Sequence, residues 1–127
     1  MADIASKYFQ LEENEDGYSA ITEVFLSDED NALLVGQTDG PIPTESQGTW
    51  MVREDGKFAM KLVRTFKTGR KGTDLGEFYF SVDRSFVGEV TTVGSCLAIG
   101  GVAHSVDDLG DREVGYFAMI DTANMRE

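Results

Sequence analysis

Two alternating stretches in the middle of the chain repeat each other twenty positions apart. Phe58, Met60, Leu62, Arg64 and Phe66 fall on every second residue, and Phe78, Phe80, Val82, Arg84 and Phe86 follow in the same order. Side chains in a β-strand alternate between the two faces of the sheet, so each stretch reads as a long strand with one apolar side. Arginine interrupts both apolar rows at the same place. A chain like this has to fold as a sheet that turns two guanidinium groups toward its own interior, or else keeps them at the strand ends.

The rest of the sequence carries the same period. Strands are expected at residues 7–12, 18–26, 32–37, 48–53, 58–67, 77–86, 89–93, 97–104 and 113–121, which makes eight or nine with no amphipathic helix. In 18–26 one face holds Tyr18, Ala20, Thr22, Val24 and Leu26, with the β-branched and aromatic content that strands favour. Asp55-Gly56 marks a tight hairpin. The acidic run at 12–17, SDEDN at 27–31, the proline-bearing 38–47, the glycine-rich 68–76 and the acidic 105–112 read as turns and loops. Small residues on both faces of 97–104 imply that something packs close against that backbone. The last strand is apolar on both sides, with Tyr116, Ala118 and Ile120 opposite Phe117 and Met119. If the 68–76 loop simply reverses the chain, Phe66 faces Phe78, Arg64 faces Phe80, and Arg84 faces Met60.

These expectations give an all-β single domain over residues 1–127, with 1–6 and 122–127 frayed. Closure into a small antiparallel up-and-down barrel removes exposed sheet edges, and a two-sheet sandwich is the alternative. The hydrophobic share of 41% fits a folded chain. No apolar run approaches the roughly 20 residues of a spanning helix, and no secretory signal is visible. Cys96 is alone in an apolar setting and reads as a buried small residue, compatible with a reducing compartment. The net charge of −12 disfavours nucleic acid and anionic membranes as partners. Seven of the eleven basic residues nevertheless lie between Arg53 and Lys71, as a basic hairpin that balances acidic neighbours within the fold or across a homo-oligomer contact.

Gly48-Thr49-Trp50 opening a strand, ahead of a hairpin of alternating strands, resembles the glycine-x-tryptophan signature of the calycins, the group of lipocalins, fatty-acid-binding proteins and avidins. The resemblance implies a small barrel whose interior binds a hydrophobic ligand. On the plainer reading Trp50 is a core or barrel-plugging aromatic.

Arg64 and Arg84 are the sharpest chemical feature. A guanidinium cannot escape burial by losing its proton, so inside a core it must meet an anion. Three arrangements satisfy this. Each arginine pairs with an internal acid such as Glu23, Glu89 or Asp121; or it keeps its head in solvent at a strand end; or it binds the carboxylate of an amphipathic ligand inside a barrel. The ligand reading places Arg64, Arg84, Trp50, Phe58, Met60, Leu62, Phe78 and Phe80 around a small hydrophobic or amphipathic molecule. The competing reading is a structural module that self-associates through an aromatic sheet face. A lipid-isomerising barrel enzyme using His104 or a tyrosine stands third.

No catalytic residue, metal or cofactor is called for. His104 precedes Asp107, Asp108 and Asp111, but the spacing fits no zinc pattern. Asp28, Asp30 and Asn31 look like pieces of a calcium loop, yet Leu33 and Asp39 stand where its glycine and glutamate belong. There is no phosphate-binding loop, dinucleotide fingerprint or paired cysteine motif.

Overall fold

The computed structural model describes residues 4–15, 18–39, 43–69, 77–94, 96–107 and 110–122. They form eight strands: β1 (Tyr8–Glu15), β2 (Tyr18–Leu26), β3 (Leu33–Asp39), β4 (Glu45–Val52), β5 (Phe58–Gly69), β6 (Glu77–Val93), β7 (Cys96–Asp107) and β8 (Gly110–Asp121). All pair antiparallel in one sheet of order β3-β2-β1-β8-β7-β6-β5-β4. Each strand pairs with its sequence neighbour except β3 and β4, and β1 pairs with β8. The edges β3 and β4 meet through the single bridge Ala32–Thr49. The result is a nearly closed up-and-down barrel, calycin-like in its general architecture, and the two-sheet sandwich is set aside.

Period-two alternation fills the interior. Phe9 and Leu11 from β1, Val24 and Leu26 from β2, Phe58, Met60 and Leu62 from β5, Phe86 from β6, Ile99 from β7 and Met119 from β8 are all but inaccessible. Removing a side chain of this kind from water is worth about 1.5–3 kcal/mol. Phe86 and Phe117 meet edge to face at 5.2 Å, an arrangement that suits the ring quadrupoles.

One end of the barrel is plugged. Ile4, in a stretch expected to fray, is buried in the core, and the Ser6 amide donates to the Leu26 carbonyl. Trp50 fastens the β2–β3 turn to β4 at the same end. Its indole N–H donates to the Ser27 carbonyl at 2.8 Å, its amide donates to the Asn31 carbonyl, and the Asn31 side-chain amide donates back to the Trp50 carbonyl. Asp30 and Asn31 adopt positive φ in that turn, a conformation these residue types tolerate. Two glycines permit the tight curvature. A Cβ on Gly48 would lie 2.2 Å from the Lys61 carbonyl oxygen and 2.7 Å from Leu33 Cδ1, so Leu33 caulks the β3–β4 seam over bare backbone. A Cβ on Gly101 would lie 2.1 Å from the Val87 oxygen, which is the close backbone approach that the small residues of β7 imply.

Several boundaries differ from the sequence reading. Residues 77–86 and 89–93 are one 17-residue strand running through Gly88, not two. β1, β3, β5 and β7 run past their expected ends, and β4 and β8 begin before their expected starts. The β5–β6 register is displaced by two residues: Phe66 faces Phe80, Arg64 faces Val82, and Arg84 faces Leu62. An even displacement keeps every side chain on its intended face, so the apolar row survives. Cys96, expected to be buried, is only partly so.

Candidate functional site

The end opposite the plug is where the two arginines converge. β1 carries its alternation through Phe9, Leu11, Glu13 and Glu15, so the acidic stretch expected to turn the chain instead sends two carboxylates inward. β5 brings Arg64 to the same level and β6 brings Arg84. Arg64 Nη2 donates to Glu13 Oε1 at 2.5 Å, with both side chains almost wholly excluded from water. Arg84 grips Glu15 with two bonds, Nε to Oε1 at 2.6 Å and Nη2 to Oε2 at 3.2 Å. Its Nη1 donates to the Asp83 carbonyl and to Ser105 Oγ. The guanidinium groups therefore meet internal acids, but Glu13 and Glu15 rather than Glu23, Glu89 or Asp121. Glu89 is exposed, Glu23 half-buried, and Asp121 lies in register with Phe9, toward the plugged end.

The two pairs are not equivalent. Arg84 is held on several sides. Among the described residues Arg64 donates only to Glu13, and its Nε–H is buried without a hydrogen-bond partner. A buried donor left unmatched costs about 1–3 kcal/mol. Burial also pushes the Glu13 carboxyl above its ordinary range, against the pull of Arg64, and the neighbouring Glu15 carboxylate adds to the rise.

Above these pairs lies a cavity of about 340 Å³, lined by Glu13, Glu15, Arg64, Arg84, Phe66, Phe80 and Val82. Its wall is apolar and its floor is charged. Phe66 and Phe80 stack with ring centroids 5.5 Å apart, and Phe80 remains 44% exposed at the rim. The volume lies toward the lower end of the usual span for small-molecule sites, about 300–1,000 Å³.

The expected site residues separate into layers. Arg64, Arg84 and Phe80 line the cavity. Leu62, Met60 and Phe58 sit successively deeper in the packed core, and Trp50 faces Met60 on the neighbouring strand. Phe78 lies one inward position beyond Phe80 toward the hairpin tip and is half exposed. The cavity also draws on Glu13, Glu15, Phe66 and Val82, and the unbroken alternation from Phe9 is the sequence signal that points to the two acids. His104 sits on the outward side of β7, in register with Ser85 and Glu113. Among the described residues no group of three His, Cys, Asp or Glu side chains is placed to hold a metal ion, and no helix is long and apolar enough to cross a membrane. The chain matches no protein-family model, no curated protein and no solved structure.

Proposed function

We propose that this protein binds a small amphipathic ligand at the open end of its barrel, without catalysis. The supporting observation is the cavity in which Phe66, Phe80 and Val82 stand over the Glu13–Arg64 and Glu15–Arg84 pairs. The aromatic wall takes the apolar body of the ligand, and Arg64 and Arg84 orient its polar head. Phe58, Met60 and Leu62 pack the core beneath the ion pairs, Trp50 holds the far end shut, and Phe78 extends the rim. This is the use of a barrel that the lipocalin and fatty-acid-binding likeness of Gly48-Thr49-Trp50 implies. Nile red, a neutral fluorophore whose emission rises and shifts to the blue in apolar sites, tests it. The wild type brightens the dye, and Phe80→Asp, at an exposed rim position, loses most of that signal while melting normally. Equal signals from the two proteins contradict the reading.

A second reading has its own support. Phe78, Tyr79 and Phe80 are all exposed near the start of β6, with Tyr79 on the outward face, and exposed aromatics of this kind suit self-association. Tyr79 takes no part in the cavity or its rim, so it separates the two readings. Native mass spectrometry of Tyr79→Ser shows a change in subunit number if this surface joins copies of the chain, with Nile red binding unaltered.

A further inference from the structure

We infer that the cavity selects neutral, oxygen-bearing amphiphiles (ketones, esters or alcohols) over fatty-acid carboxylates, with the Arg64 Nε–H as donor to the ligand oxygen. This rests on the binding role proposed above and names the class of molecule bound. Charge balance carries the argument. A cavity floored by two bare guanidinium groups would call for an anion. Here each arginine already faces an acid, Arg64 with Glu13 at 2.5 Å and Arg84 with Glu15 at 2.6 Å, so with both carboxyls ionised the floor sums to zero. A ligand carboxylate would bring a third negative charge among groups largely removed from water, and burying an unbalanced charge is far more costly than burying a hydrogen-bonded neutral oxygen.

The second observation is the shape of what the floor lacks. Arg84 has Glu15, the Asp83 carbonyl and Ser105 Oγ around it, but the Arg64 Nε–H is buried and unmatched among the described residues. What is missing at Arg64 is one acceptor, not one charge. A carbonyl, ester or hydroxyl oxygen supplies it once a small shift of the floor opens the enclosed Nε–H to the cavity, and it leaves the charges of both ion pairs balanced. The apolar tail of such a molecule then runs outward past Val82 and along the stacked Phe66–Phe80 pair toward the rim, where the wall changes from packed to exposed.

Displacement of Nile red by two ligands of matched chain length tests this at about pH 8, where decanoate is ionised. On the wild type, 2-decanone displaces the dye at a concentration on the order of tenfold lower than decanoate. In Glu13→Gln the Arg64 charge is no longer balanced, and decanoate gains until the order reverses. If decanoate displaces the dye from the wild type as well as the ketone or better, the inference is overturned while the binding role stands. If Nile red does not bind at all, both fall. The wild-type comparison decides the matter even should Glu13→Gln fold poorly.

Discussion

Arg64 and Glu13 stand 51 positions apart in the chain and meet at 2.5 Å inside the barrel, with 3% and 1% of their side chains exposed. A pair this deep contributes little net stability. Its attraction roughly offsets the desolvation of both groups, but losing one partner strands the other. Arg64→Met therefore destabilises the barrel by about 3–5 kcal/mol, and Glu13→Leu/Arg64→Met by clearly less. Urea melts of the single and double variants read this directly. Additive losses contradict it.

The raised pKa of Glu13 gives a signed pH dependence. The folded state holds the Glu13 proton more tightly than the unfolded chain, whose value is near 4.5. Between that value and the folded one, unfolding releases a proton, so raising the pH favours unfolding. Glu13's contribution is thus full below the unfolded value and lost as pH rises through the folded one. Relative to Glu13→Gln, the wild type loses stability on going upward from about pH 4.5. Urea midpoints across that range check the sign, and a wild-type advantage that grows with pH contradicts it.

Trp50 joins the β2–β3 turn to β4 through its indole N–H on the Ser27 carbonyl. Trp50→Phe keeps an aromatic ring but leaves that carbonyl without its donor, at a cost of about 1–2 kcal/mol. Amide exchange speeds up across residues 27–32, because the turn loses its tie to the neighbouring strand. Unchanged exchange there would mean that the indole bond does not hold the seam.

Gly48→Ala places a methyl group against backbone rather than a yielding side chain, at 2.2 Å from the Lys61 oxygen. The strand has to shift, at a cost of about 1–3 kcal/mol, and the β3–β4 seam opens with it. Thermal melts measure the loss. A Gly48→Ala variant that melts like the wild type contradicts this account of the glycine.

Alternation alone made most of the barrel legible, including the shared inward face of Phe58 to Phe66 and Phe78 to Phe86. Six of the misjudged strand boundaries share one physical cause. β1, β3, β5 and β7 overran their expected ends, and β4 and β8 their expected starts, all at the open end of the barrel. There the strands leave the packed core for a charged cavity and solvent, so their residues are polar and acidic. Composition of that kind reads as a turn, although the backbone continues its ladder. Glu13 and Glu15 were hidden by this effect, and with them the partners of both arginines. The β5–β6 register slipped for the same reason, since Thr68 and Gly69 belong to the strand and not the loop. Closure through β1 and β8 depends on contacts between the two ends of the chain, which no local pattern encodes.

A proton–nitrogen correlation spectrum of the arginine Nε–H and tryptophan Nε1–H groups, recorded during titration with 2-decanone, reads directly whether a ligand oxygen reaches the floor of the cavity. The Arg64 Nε–H resonance moves furthest as it gains an acceptor. Arg84, already bonded to Glu15, moves less, and Trp50 at the plugged end stays in place. Movement of Trp50 with Arg64 unchanged, or no movement of any of the three, would contradict that contact.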